Sequence, residues 1–196
     1  MQSCRGFPYP RRGAGAPDRS AVPYAPRMSK GIGVRAARVK DVQAMARVHV
    51  ESWQETYRGV VPDAVLDDPG FPAARERQWL NALTEPRWAT HRVAVAEHRG
   101  PLVGLAMAGP SDDEPDLMHL YVLYLLAEHH GSGTGTDLLH AVIDPDKGTT
   151  LWVAERNPRA QAFYRKHGFE LDGGSKIEGG VVDLRMVRLP GPLSRT

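Results

Sequence analysis

Three glycines fall on alternate positions in "EHHGSGTGTDLL", residues 128–139: Gly131, Gly133 and Gly135. They stand between an apolar run and a segment that reads as the start of a helix. The first turn of a helix leaves its backbone N–H groups without acceptors, at the positive end of the dipole, and phosphate binds at such places. Glycine removes the Cβ that would keep an anion's oxygens from the amides, and it tolerates positive φ. A plain flexible turn has the same spacing. The stretch lacks the Gly-Lys-Ser/Thr of a P-loop, and no acidic residue sits about twenty positions on to hold a ribose hydroxyl. His129, His130 and His140 do not make a metal set, because adjacent histidines do not readily face one ion and no cysteine or carboxylate completes a known spacing. No metal is expected.

The elements that must position this loop follow from composition and periodicity. A chain of 196 residues with 41% hydrophobic content suits one ordinary globular domain. Residues 1–33 hold six Lys or Arg against one Asp, while residues 34–196 hold nineteen against twenty-two Asp or Glu, so the basic charge is confined to the tail. That tail has five prolines in its first 27 residues and no periodicity, a composition that predicts disorder. An over-extended reading frame with Met28 as the true start is the expectation for it. Residues 1–32 are therefore read as a tail, 33–190 as the folded domain and 191–196 as a second short tail. Cys4 is the single cysteine, which leaves no intrachain disulfide and suits a reducing compartment. No run approaches the roughly 18 to 20 apolar residues of a membrane span, and the N-terminus lacks the apolar core of a secretory signal, so a cytoplasmic protein is expected.

Within the domain, a short strand is read from Gly33 to Arg38, then a helix signalled by Asp41 as N-cap, with Val42, Met45, Ala46, His49 and Trp53 on one buried stripe. A second helix is read from Pro72 to Leu83. "RVAVAEHRG" and "LVGLAMAGP" alternate around Arg99-Gly100-Pro101 as a hairpin. "LMHLYVLYLLA" is the near-continuous apolar run of a central strand buried on both faces. The glycine loop follows it, then a helix carrying Leu138, Leu139 and Val142, then a strand from Thr149 to Glu155. A strand, crossover helix and strand in that order demand a parallel pair. Pro158 at the first turn and Gly168 just past the end bound a last helix, and Asn157 is its candidate N-cap. A final strand runs from Val181 to Arg188.

"HGSGTG" at residues 130–135, followed by Asn157, Phe163-Tyr164 and Gly168-Phe169, resembles the paired signatures of the GNAT superfamily of N-acetyltransferases. The likeness covers roughly residues 34–188, and His130 stands where that family usually has Gln or Arg. The resemblance implies an α/β (α+β) fold: a central mixed, mostly antiparallel sheet with a splayed parallel pair, flanked by about four helices. It implies acetyl-CoA as co-substrate, lying in the splay. The backbone of Leu125 and Leu126 would pair with its pantetheine arm. His130, Gly131, Ser132, Gly133, Thr134 and Gly135 would hold the pyrophosphate, and Asn157, Phe163 and Tyr164 would meet the arm or the acetyl end.

The chemistry implied is acetyl transfer to a primary amine by direct attack in a ternary complex. Two protons must move, one off the attacking ammonium and one onto the departing thiolate. Tyr164 is the implied donor, and His119 takes the place of the usual glutamate as base, with Glu128 and Tyr121 as alternatives. Trp53 and Tyr57 are read as a wall of the acceptor site, and the acidic loop Asp112, Asp113, Glu114 and Asp116 as an attraction for a cationic amine. The acceptor is expected to be a small molecule or peptide, with no nucleic acid or membrane partner, and the protein a monomer or homodimer. The alternative reading is a catalytically inactive acyl-CoA-binding sensor or interaction module.

Overall fold

The computed structural model describes residues 27–29 and 31–192. Strand β1 (Arg27–Ser29) and β2 (Ile32–Ala36) lead into helix α1 (Val42–Tyr57), a four-residue α2 (Asp63–Leu66) and α3 (Phe71–Thr84). Strands β3 (Arg92–His98), β4 (Leu102–Pro110) and β5 (Met118–Leu125) follow, then α4 (Thr134–Val142), β6 (Thr149–Ala154), α5 (Pro158–Lys166), β7 (Glu170–Glu178) and β8 (Val181–Arg188). They form one sheet in the order β1-β2-β3-β4-β5-β6-β8-β7. Every pairing is antiparallel except β5 with β6. This is the mixed, mostly antiparallel sheet expected, with five α-helices among the described residues. β1 and Ile32 at the start of β2 lie inside the segment read as the basic tail, and residues 1–26, 30 and 193–196 of the two tails fall outside the described residues.

Helices cover both faces. Against one, α1 and α3 place Met45, Ala46, Val48 and Trp79 on Val95, Leu105, Met107, Val122 and Leu126. Against the other, α4 contributes Leu138, Leu139 and Val142 to a core with Ala106, Leu120, Leu151 and Tyr164. The strand buried on both faces is β4, whose first eight residues are all buried, rather than β5. β4 has a strand on each side and helices above and below, whereas the far half of β5 opens on a cleft. Asp41 also departs from its expected role. Instead of capping α1, its carboxylate accepts the Arg38 amide at 2.8 Å and the Arg35 guanidinium at 2.7 and 2.9 Å, tying β2 to the turn before the helix. β7 escaped sequence reading because it is an edge strand with almost every side chain exposed, so no alternation marks it.

Gly104 in β4 is where the second core meets the end of β5. A Cβ there would lie 2.9 Å from Leu125 Cδ1, Leu138 Cδ1 and the Tyr124 carbonyl oxygen, and the last is backbone that does not yield. Gly104→Ala is expected to cost about 1–3 kcal/mol through overpacking. Urea unfolding reads this as a lower midpoint at unchanged slope.

Candidate active site

β5 and β6 are hydrogen-bonded as a parallel pair over three residues only, Met118, His119 and Leu120 against Thr149, Thr150 and Leu151. Beyond Leu120 both strands continue, β5 paired only with β4 and β6 only with β8. The parting coincides with a β-bulge: Met107 faces Val122 and Ala108 faces Leu120, so Tyr121 has no residue opposite. An extra residue bends its strand, raises the local twist and re-aims side chains. Here Tyr121 and Val122 both pack on the α1/α3 side, while Leu120 and Leu123 pack on the α4/α5 side. The result is a cleft of about 1550 Å³ running between the two strands.

One end of that cleft is the glycine loop. A single 3-10 turn (Ala127–His129) follows β5, and Gly131 and Gly133 then adopt φ 76° and 90°, with Gly133 as the N-cap of α4. The amides of Gly131, Gly133 and Gly135 reach no protein acceptor among the described residues, while those of Thr136 and Asp137 bond to the Gly133 carbonyl. Gly131, Gly133, Gly135 and His130 line the cleft, whereas Ser132 and Thr134 do not. Ser132 Oγ sits 2.7 Å from the His129 carbonyl oxygen and 2.8 Å from Thr134 Oγ1, which locks the loop from within. Gly135 has a second duty, since a Cβ there would stand 3.3 Å from the Phe163 ring of α5 and crowd it. His130 turns back on the strand, its Nε2–H donating to the Leu125 carbonyl at 2.8 Å. Leu125 lines the cleft. Leu126 instead is buried among the α1/α3 core and donates its amide to the Val103 carbonyl.

Across the opening stands α5. Asn157 caps it, its Oδ1 accepting the Ala160 amide at 3.0 Å, and the residue also lines the cleft. Phe163 and Tyr164 line it too. Burial, with smaller contributions from the phenols of Tyr124 and Tyr57, pushes the Tyr164 phenol above its usual range, so it stays protonated as a donor must. Glu128 is not brought to the cleft. Its carboxylate is 73% exposed and lies 3.1 Å from His129 Nε2 on the outer surface, because the 3-10 turn rotates it away from β5.

His119 reaches the cleft from the paired end of β5. Its Nδ1 lies 2.8 Å from Thr150 Oγ1, and that hydroxyl donates to the Met118 carbonyl at 3.3 Å. The hydroxyl has one proton: in the tautomer where it goes to the Met118 carbonyl, Nδ1 carries the ring N–H and Nε2 keeps its lone pair. Burial, then the charges of Lys176 and Arg185, push His119 down to about 4, which keeps the ring neutral at pH 7. Tyr121 donates its hydroxyl to the Pro110 carbonyl at 2.9 Å, and burial raises its phenol, so it stays protonated and supplies no phenolate as a base. Trp53 Nε1 donates to the Tyr124 hydroxyl at 2.8 Å, and the Trp53 and Tyr57 rings meet at 5.3 Å, forming an aromatic wall. Asp112, Asp113 and Glu114 line the mouth while Asp116 does not, and Glu114 is ion-paired with Arg185.

Sequence reading missed Thr150, Tyr124, Trp152, Lys176 and Arg185, all of which line the cleft. The first four carry no motif. Arg185 stands on a strand that was read, but its pairing with β6, which sets it opposite Trp152, is a long-range register that local sequence does not show.

A model of the acetyltransferase (GNAT) family matches residues 48–169. A probable N-acetyltransferase of Mycobacterium tuberculosis is 30% identical over 145 residues, covering 72% of this chain and 82% of that protein. The uncharacterized N-acetyltransferase YuaI of Bacillus subtilis is 29% identical over 169 residues, 82% of this chain and 93% of its own. Among solved structures, the PaiA N-acetyltransferase of Thermoplasma acidophilum in complex with coenzyme A superimposes with TM-score 0.65, at 20% identity, over 81% of this chain and 98% of its own. At that identity the likeness is one of fold.

His119 belongs to a set of rings held neutral by burial. His91 and His167 are likewise pushed down to about 4, and His49 well below its ordinary range. Unfolded, each titrates near 6.5. Between those values the unfolded chain binds more protons, so stability is full above about pH 6.5 and is lost as pH falls toward 4. Each such histidine steepens the loss by up to about 1.4 kcal/mol per pH unit. Urea unfolding at pH 7, 6 and 5 is expected to show falling stability, with a shallower slope in His119→Gln and an unprotonated His119 ring by NMR at pH 5.5.

Proposed function

The chain belongs to the acetyltransferase (GNAT) family, and we propose that it transfers an acetyl group from acetyl-CoA to a primary amine by direct attack within a ternary complex. The observation that carries this reading is the splay: two parallel strands part after three residues, with one unpaired edge on β5 and bare amides at the end of the opening. The site fits the nucleotide. The amides of Gly131, Gly133 and Gly135, at the positive end of a nine-residue helix and with no Cβ in the way, suit pyrophosphate oxygens. The β5 edge past Leu120, including Leu125, suits an arm of amide groups that pairs like an added strand.

In this reading the amine lone pair forms a C–N bond to the thioester carbonyl carbon, and the C–S bond breaks. Backbone N–H groups along the open edge of β5 offset the charge on the carbonyl oxygen. The Tyr164 phenol, kept protonated by burial, gives its proton to the leaving thiolate. His119 Nε2 accepts the ammonium proton, directly or through water. A ring held near 4 is always unprotonated at neutral pH but binds the proton weakly, so this base works by availability rather than strength. Asn157 uses Oδ1 for the helix and retains its NH2 for the arm or the acetyl group. Trp53 and Tyr57 form the wall of the acceptor side. The reading needs no metal, places the protein in the cytoplasm of a bacterial-type cell, and takes a small molecule or peptide as acceptor.

Calorimetry with coenzyme A is expected to give saturable binding, and acetyl-CoA with a panel of amines is expected to release thiol. Binding without thiol release on any amine would leave a sensor in place of the enzyme, and no heat at millimolar coenzyme A defeats both. Tyr164→Phe is expected to lower kcat by about 10²- to 10⁴-fold while coenzyme A affinity holds, which steady-state kinetics and calorimetry measure together.

A further inference from the structure

Two polar side chains that the mechanism does not use are buried against the acceptor side with nothing to bond. His49 is 2% exposed and Ser52 3%, both line the cleft, and His49 Nδ1, His49 Nε2 and Ser52 Oγ have no hydrogen-bond partner among the described residues. They lie one turn apart on α1 and so share a face. A buried N–H or hydroxyl without a partner is costly and is rarely kept without cause. The His49 ring sits among Tyr124 at 4.9 Å, Trp53 at 5.7 Å, Trp79 at 5.9 Å and Phe71 at 6.4 Å. The faces of those rings supply shape, and the one hydroxyl among them, on Tyr124, already accepts the Trp53 indole N–H at 2.8 Å.

A cation lies beside His49, while Glu55, one turn beyond Ser52 on α1, also lines the cleft and accepts the Ala127 amide at 3.1 Å. Arg75 on α3 is 3% exposed, its guanidinium 4.7 Å from the centroid of Phe71 and 5.7 Å from that of Trp53, close enough to His49 to help hold it neutral. Arg75 Nη1 donates to Gln78 Oε1 at 2.6 Å, which fixes the Gln78 amide with its NH2 as the remaining donor, and Gln78 lines the cleft. Three donors of different geometry, His49 N–H, Ser52 O–H and Gln78 NH2, thus face one region of low dielectric beside a buried cation. That is the complement of a carboxylate. The acidic residues Asp112 and Asp113 lie toward the Met118 end of the cleft, where they act on His119 and Tyr121, and not toward Tyr124.

We propose that the acceptor is an amine bearing a carboxylate, an amino acid in the simplest case, and that His49, Ser52 and Gln78 receive that carboxylate against the aromatic wall of Trp53, Tyr57 and Tyr124. The proposal rests on the acetyl-transfer reading for its placing of the amine. Tyr124 links the two sites: it contacts His49 and lies within electrostatic reach of the Tyr164 phenol. An amine whose carboxylate is held at His49 is thereby kept beside the proton donor.

Matched triplets test it: phenylalanine, leucine and methionine, each with its carboxamide and its decarboxylated amine, assayed by thiol release and by calorimetry in the presence of coenzyme A. At least one acid is expected to be acetylated with kcat/KM tenfold or more above its carboxamide and amine. Ser52→Ala removes a hydroxyl the free fold does not use, so it is expected to raise the melting temperature, leave coenzyme A affinity unchanged, and narrow the acid-to-amide ratio at least fivefold through KM. Gln78→Leu gives a second reading of the same ratio. Amides or amines accepted as well as acids, a ratio unmoved in both variants, or no acid either acetylated or bound would overturn the proposal. Acids that bind with coenzyme A present while no thiol is released would uphold the carboxylate site and defeat the acetyl-transfer reading instead.

Discussion

The three-residue contact between β5 and β6 is the constraint on which the remaining architecture rests. A parallel pair that ran the full length of both strands would close the sheet and leave no room between them. The ladder stops at Leu120 and Leu151, where the unopposed Tyr121 bends β5 away. The far half of β5 stays paired with β4, but its edge toward β6 has no neighbouring strand, and backbone groups on such an edge persist only where a protein group, water or a ligand meets them. The glycine loop closes one end of this opening, α5 flanks it, and the aromatic face of α1 stands beside it. Each of those elements is held by a different part of the core, so the opening is a property of the whole sheet and not of any one segment.

Burial sets the protonation states across the cleft in one direction. It raises the phenols of Tyr164 and Tyr121 and lowers His119 and His49, so these four rings are neutral near pH 7. A neutral lining suits a reaction whose charges arise on the substrates, because a preset charge in a low-dielectric wall would favour one protonation state of the amine over the course of transfer. Some of the charges that do line the cleft are tied off, Glu114 with Arg185 and Lys176 with Glu178.

The glycine loop and the final helix were legible in the sequence for local reasons. Gly131 and Gly133 take the positive φ their residue type permits, and Asn157, Pro158 and Gly168 bound α5 as their chemistry dictates. His130 was legible as a position and not as a contact. Its ring turns inward to the Leu125 carbonyl, a choice made by the end of β5 and invisible in the order of residues. Glu128 reads as well as any carboxylate near a site, yet one 3-10 turn carries it to the outer surface.

What the sequence determined alone is what depends on neighbours along the chain: the periodic stripes of α1 and α4, the caps and breaks, and the strand, helix, strand order that requires a parallel pair. What only the tertiary structure decided depends on partners across the sheet. The bulge at Tyr121 exists only as a mismatch of register with β4, the neutral state of His119 follows from burial and from the charges of Lys176 and Arg185 on β7 and β8, and the ring nitrogens of His49 lack partners among the described residues where four aromatic rings from three elements converge on it. Local stereochemistry acts within a few residues, while register, dielectric and hydrogen-bond satisfaction are set by segments brought together from far along the chain.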